Sequence, residues 1–352
     1  MSKQNFPRKV AIITGTTSNL GINIAYRLID KEDPNVRLTI IVTSRTLPRV
    51  KEVVEKLQAY VKDLDRPALV DFDYILVDFA NMVSILGAYY ELNKKYASIG
   101  IHYLFINAAQ GVYKGIDWVA ATREVLRNPL NAVTHPTYKI QRVGVKSQDG
   151  MGLVFQANVF GPYYFIHKLL PLLSKGKATI VWISSIMSAP KYLSLEDIEL
   201  LKTPESYEGS KRLVDLVHLG TYKSMKELGI HQYVVHPGIF VSHSFYQFLN
   251  VFTYYSMLLL FYLARLLGSK WHTIHGYKAA NAPIYVATLA NPHFDDQDHK
   301  FGSATSLDGL EYIERTELDP TGMTDVMDYM NTKVKEWDEK LRDQITNTRV
   351  PI

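Results

Sequence analysis

The chain has 352 residues, 47% of them hydrophobic, so it can bury a substantial core; its length suits one α/β domain with insertions better than two domains. A net charge of +4 with no long run of like charge gives nucleic-acid binding little support. The absence of cysteine excludes a disulfide framework and thiolate chemistry, and the N-terminus shows no apolar core with a cleavage site that would mark a secretory signal.

In chain order, residues 9–13 read as a strand and 20–30 as the helix behind it. Residues 38–43 form a second strand, and 47–64 have helical periodicity. Residues 74–77 end a third strand at Asp78, and 83–96 are helical again. Further strands fall at 102–106, 178–183 and 232–235, and a last helix and strand at 278–290 and 301–306. Short β-rich runs separated by helices require crossover connections. The expected fold is therefore a Rossmann-type, doubly wound parallel sheet with helices on both faces, binding at the strands' C-terminal ends. Three segments exceed what such a fold needs: 115–150, 187–204 and 244–275. Residues 326–345 have the pattern of an amphipathic C-terminal helix that docks on the domain.

The first strand runs into TGTTSNLG (residues 14–21), where Gly15 and Gly21 allow a backbone and a helix N-terminus to approach a pyrophosphate. The second strand ends Ser44-Arg45, with no acidic residue to take a ribose 2′-hydroxyl; an arginine there suits a 2′-phosphate, which points to NADPH. Tyr207 and Lys211 stand at i and i+4 and share a helix face. Lowering a phenol by about three units from its usual ~10 needs roughly 4 kcal/mol. One cation at roughly 4 Å supplies about that at an effective dielectric near 20. Ser184 and Ser185 close the strand IVWISS, where a hydroxyl can hydrogen-bond a carbonyl oxygen, and Asn158 lies within a helical pattern, where a relay or structural role fits. His272 and His275 have helical spacing but no cysteine or nearby carboxylate, so no metal site is expected.

As a set these residues resemble the short-chain dehydrogenase/reductase family. The glycine turn, Asp78, Asn107-Ala108-Ala109, Asn158, Ser185, Tyr207-x-x-x-Lys211 and Pro237-Gly238 follow its pattern across most of residues 9–242. Asn19 stands where the family has its middle glycine, which predicts a turn that accepts asparagine in left-handed geometry. The resemblance implies a catalytic group of Asn158, Ser185, Tyr207 and Lys211. Tyr207 would donate the proton, Ser185 polarise the carbonyl, Lys211 lower the phenol's pKa and hold the nicotinamide ribose, and Asn158 support a water relay. It implies a cofactor site of Gly15, Ser18, Asn19, Leu20, Gly21, Ser44, Arg45, Asp78, Asn107, Ala108, Tyr207, Lys211, Pro237, Gly238, Ile239 and Ser242.

Longer blocks, among them NVRLTIIVTSRTLPRV, SYEGSKRLVDL and FYLARLLGSKWH, are similar to the fungal 3-keto-steroid reductases of ergosterol synthesis. This implies NADPH-dependent reduction of the carbon-3 ketone of a C-4-demethylated sterol, zymosterone for example, beside the other sterol C-4 demethylation enzymes at the endoplasmic reticulum or lipid-droplet surface. Another lipophilic ketone, or a non-catalytic scaffold of a sterol-synthesis complex, are the competing readings. Residues 244–264 carry no Asp, Glu, Lys or Arg, and both flanks belong to one sheet, which fits a monotopic membrane element better than a crossing. Otherwise the protein itself, or a second copy in a homodimer, would cover that segment.

Overall fold

The computed structural model describes residues 6–64, 69–242 and 248–344, so positions 244–247 of the apolar segment and residue 345 of the C-terminal helix lie outside the described residues. β1 (Arg8–Ile13), α1 (Asn19–Lys31), β2 (Arg37–Ser44), α2 (Leu47–Lys62), β3 (Val70–Leu76), α3 (Met82–Tyr96) and β4 (Tyr103–Ile106) build the first half. β5 (Tyr113–Ile116), α4 (Trp118–Arg127), α5 (Pro129–Thr134) and β6 (Lys139–Gln141) make up the first insertion. A single helical turn, α6 (Leu153–Phe155), passes through a π-helical stretch (Gln156–Phe160) into α7 (Gly161–Gly176), followed by β7 (Thr179–Ile183), α8 (Ser206–Glu227) and β8 (His231–His236). Then come α9 (Val251–Leu266), α10 (Gly276–Ala279), α11 (Asn281–Thr288), β9 (His299–Thr305), β10 (Glu311–Glu317) and α12 (Met323–Lys340).

The main sheet runs β10-β9-β8-β7-β4-β1-β2-β3, parallel throughout except for β10, which pairs antiparallel with β9. The strands alternate their apolar side chains between two cores. Val10 and Ile12 of β1 face one core with α3, α7, α8 and α12, whereas Ala11 and Ile13 face the other with α1, α2 and α11. Strands buried on both faces need apolar residues at successive positions, which is why β1 and β2 read as continuous hydrophobic runs. The chain leaves β1 for β2 on one side and later places β4 on the other. That reversal of winding opens a crevice at the strands' carboxyl ends.

One strand of the main sheet escaped the sequence reading, which ended that sheet at 301–306. β10 is Glu-Tyr-Ile-Glu-Arg-Thr-Glu, an edge strand whose alternating charges hide it from a search for apolar runs. The first insertion begins earlier than 115: Tyr113 already belongs to β5, which pairs antiparallel with β6 as a separate two-stranded ribbon. The second insertion contains two 3₁₀ turns, Pro190–Tyr192 and Leu195–Asp197. The third contains α9.

Candidate active site

The turn after β1 is pinned from three sides. Asn107, at the end of β4, donates through Nδ2 to the carbonyls of Thr14 (2.8 Å) and Gly15 (3.1 Å). The Thr14 hydroxyl accepts from the backbone N–H groups of Asn107 (2.8 Å) and Ala108 (2.9 Å), and the Thr43 hydroxyl of β2 accepts from Gly15 N (2.9 Å). Gly15 sits at φ +64°, and a Cβ there would come within 3.0 Å of Ala108 Cα. A Cβ on Gly21 would lie 2.3 Å from Gly15 O, so both positions require glycine. Ser18 caps α1, its hydroxyl accepting from Gly21 N at 3.0 Å, and Leu20 is buried behind it.

Asn19 departs from expectation. It begins α1 in helical backbone rather than in left-handed geometry, and its side chain donates to Val241 O at 2.6 Å. The asparagine thus ties the glycine turn to the segment after β8, a contact a glycine could not make. In that segment Gly238 has φ +71°, and a Cβ there would lie 2.5 Å from Trp271 O. Ile239 N donates to the same Trp271 carbonyl at 2.7 Å. Pro237 leads into this stretch, its carbonyl accepting from the Thr273 hydroxyl, and Ser242 closes it. At the tip of β2, Ser44 is buried and Arg45 is exposed. Asp78 shapes the turn after β3, its Oδ1 accepting from Ala80 N at 2.9 Å.

Tyr207 lies in the first turn of α8 and Lys211 one turn on. Lys211 is 3% exposed, and its ammonium donates to Ile183 O at 2.8 Å while sitting 5.5 Å from the centre of the Tyr207 ring. Burial pulls this ammonium down to about 8, with Asp215 opposing that pull and Lys300 adding to it. The phenol of Tyr207 is pushed up, by burial first and by the Glu208 carboxylate second. The expected lowering of the phenol by Lys211 is therefore corrected: the cation is spent on the end of β7, and the tyrosine holds its proton more firmly than a free phenol.

The two serines separate clearly. Ser184 is buried, donates through Oγ to Lys211 O at 3.3 Å and through its backbone to Val235 O. Ser185 is half-buried, and its hydroxyl accepts from Met187 N at 3.0 Å, which leaves its own proton to donate. Asn158 lies in the π-helical stretch, a local widening frequent at functional sites. Its amide embraces the backbone of Gln110, accepting from the N–H (2.7 Å) and donating to the carbonyl (2.9 Å), and also donates to the Ser210 hydroxyl (3.0 Å). Asn158 thus joins the loop after β4 to the first turns of α8.

Sequence reasoning missed a second set of residues here. Gln141 of the ribbon accepts through Oε1 from the Ser206 hydroxyl and from Tyr207 N, both at 3.0 Å, and donates to Glu208 at 2.7 Å. Glu205, at the N-cap of α8, makes no side-chain cap, so Gln141 does that work from the ribbon. The Tyr113 ring lies 6.0 Å from that of Tyr207. Beneath Ser185, buried Lys300 of β9 donates to Ser185 O (3.2 Å), to the Ser188 hydroxyl (2.6 Å) and to Asp215 (2.5 Å). An i+4 spacing from Lys211 could have pointed to Asp215; nothing in the sequence tied Gln141 to Tyr207 or Lys300 to Ser185.

No family model matches the chain. It is 68% identical over 351 residues to the 3-keto-steroid reductase ERG27 of Saccharomyces cerevisiae, covering 98% of this chain and 99% of that one. It is 67% identical to the 3-keto-steroid reductase of Candida glabrata, with the same coverage, and 42% identical to that of Yarrowia lipolytica over 97% of this chain and 99% of the relative. Solved structures share the fold at low identity. An NADPH-bound carbonyl reductase from chicken fatty liver matches with a TM-score of 0.54 at 15% identity, covering 87% of this chain and 98% of its own. YwfH, an NADPH-dependent reductase of bacilysin biosynthesis, gives 0.57 at 12%, covering 86% and 98%. With identities of this size spanning nearly every residue of both partners, the chain belongs to the 3-keto-steroid reductase family.

Proposed function

We infer that this protein reduces the carbon-3 ketone of a C-4-demethylated sterol to the 3β-alcohol, using NADPH. The observation that carries the reading is that Lys211 lies over the Tyr207 ring while reaching Ile183 at the end of β7, two residues before Ser185, in a chain of this family. The turn fits a dinucleotide: Gly15 and Gly21 let the backbone of the turn pack closely on Ala108 and on itself where a Cβ would clash, the N-terminus of α1 offers its dipole, and exposed Arg45 stands at the tip of β2 for a 2′-phosphate. Asp78, Asn107, Ala108 and the 237–242 segment would complete the binding site. When bound, NADPH supplies the hydride.

The chain's own groups handle the proton and the orientation. Ser185 donates its hydroxyl proton as a hydrogen bond to the ketone oxygen and so polarises the carbonyl. Tyr207 keeps its phenol protonated throughout the neutral range, because burial and Glu208 hold the pKa up. An alkoxide is a far stronger base than a phenolate, so the proton moves from Tyr207 Oη to the substrate oxygen as negative charge develops there. Lys211 fixes the end of β7 through Ile183 O and offers positive charge next to the ring. Asn158 locks the Gln110 loop against α8, which keeps the reacting groups in register.

A sterol is drawn from lipid, and we propose that α9 with α4 lies on a membrane or lipid-droplet surface at the endoplasmic reticulum. Phe252, Tyr255, Leu259, Tyr262, Leu263 and Leu266 of α9 recur at helical spacing and are exposed, as are Trp118, Val119 and Leu126 of α4. The opposite side of α9, Phe261 and Ala264, packs on Val133 and Ile274. Among the described residues no helix is long and apolar enough to cross a membrane, and a monotopic surface requires none.

The test is NADPH oxidation by purified protein in detergent or lipid, with a 3-keto sterol compared against a retinoid and a long-chain ketone. Preference for the sterol supports the reading. Turnover of the other ketones with none of the sterol would replace it, and no turnover of any, with NADPH bound, would favour a scaffold.

A further inference from the structure

Lys300 and Asp215 form a buried ion pair that the reaction described above does not use. Lys300 is 6% exposed and Asp215 1%. All three protons of the Lys300 ammonium are spent: one on Asp215 Oδ2, one on the Ser188 hydroxyl and one on the carbonyl of Ser185 itself. Lys300 comes from β9, two strands away from β7 in the sheet, while Asp215 comes from the helix that carries Tyr207 and Lys211. Asp215 Oδ1 is buried with no hydrogen-bond partner among the described residues. A pair of this kind contributes little net stability compared with apolar residues of the same shape, so its presence calls for another role.

We propose that Lys300 and Asp215 are a positioning pair for the reaction, holding the Ser185 segment and the Lys211 turn of α8 in one fixed arrangement. The inference rests on the ketone-reductase reading of Ser185 and Lys211. The pair faces Lys211, Arg212 and His218 on α8 and His236 on β8. His218 and His236 are held neutral by burial, with pKa values of about 4 and about 3, so neither adds charge near neutral pH. Asp215 favours the charged form of Lys211 and Lys300 disfavours it. Removing one partner or the other is therefore expected to move Lys211 in opposite directions, and the kcat of a folded variant separates a positioning role from a structural staple.

The experiment compares Lys300→Met, Asp215→Asn, Lys300→Arg and the double variant Lys300→Met/Asp215→Leu. The titration of Lys211 is followed by NMR of 13Cε-lysine-labelled protein without cofactor, with the resonance assigned by its loss in Lys211→Met. The midpoint is expected to rise in Lys300→Met and fall in Asp215→Asn. If either single variant fails to fold, the double variant carries the test, since it leaves neither member of the pair buried without the other. It is expected to melt near the parent temperature, yet to lose about 10–100-fold in kcat, the scale of a displaced reacting group. Its KM for NADPH should stay within about twofold, and Lys300→Arg should recover part of kcat. A folded double variant with parental kcat, or single variants that shift Lys211 the same way or not at all, would overturn the proposal. Absence of ketone turnover by the parent protein would instead overturn the reductase reading, and the NMR titration would still judge the pair.

Discussion

Lys211 lies over the ring of Tyr207, 5.5 Å from its centre, but gives its hydrogen bond to the carbonyl of Ile183 at 2.8 Å. The ammonium thus lies over the ring while its hydrogen bond ties this turn of α8 to the end of β7. This arrangement ties the turn of α8 that carries Tyr207 to the strand end that leads into Ser185.

Tyr207→Phe removes the proton that the proposed mechanism delivers to the substrate oxygen while keeping the ring against Tyr113. Steady-state kinetics are expected to show kcat lower by roughly 100–10,000-fold, the range for a positioned general acid. The melting temperature and the affinity for NADPH should change little.

The adjacent serines are expected to respond differently. Ser185→Ala should lower kcat by roughly 100–1,000-fold, as loss of a hydrogen bond to the developing oxyanion does. Ser184→Ala breaks the bond to Lys211 O and should cost about 1 kcal/mol of stability, read by denaturant unfolding, while most of kcat survives. Reversal of that pattern would assign the carbonyl to Ser184.

Burial pulls Lys211 down to about 8, so activity that depends on its charge should decline along a one-proton limb as pH rises through that region. Lys211→Met should show low activity and no such limb. The effect on stability has the opposite sign. Between about 8 and 10.5 the unfolded chain keeps a proton on this lysine that the folded chain has released, so its contribution to stability rises with pH.

Arg45→Ala should raise KM for NADPH by roughly 10–100-fold, the worth of a charge-assisted contact to phosphate, and leave KM for NADH nearly unchanged. An equal effect on both cofactors would remove the 2′-phosphate from the account.

Phe252→Asp and Leu259→Asp should each weaken binding to sterol-containing vesicles by about 10–100-fold in flotation assays, since each forfeits roughly 1.5–3 kcal/mol of apolar burial. Turnover of a sterol presented in detergent should be retained.

The sheet was legible because its strands are buried on both faces and appear as apolar runs between helical periods. Charged β10 lacks that signal, and only its pairing with β9 makes it a strand. The turn at Gly15, the serines of β7 and the Tyr207–Lys211 spacing are local patterns, and sequence carries such patterns directly. The contacts that set their electrostatics are not local: Gln141 reaches Tyr207 across 66 residues and Lys300 reaches Ser185 across 115. Spacing placed a cation near the phenol. It could not show that the Ile183 carbonyl takes the ammonium or that burial, with Glu208, holds the phenol's pKa up.

The most direct test is to reduce a 3-keto sterol with NADPH deuterated on the transferring face of its nicotinamide and analyse the product by mass spectrometry and chromatography. The account requires a 3β-alcohol carrying one deuterium at carbon 3, formed by the parent protein and largely lost in Tyr207→Phe. An alcohol without label, or a labelled alcohol formed equally well by Tyr207→Phe, would contradict it.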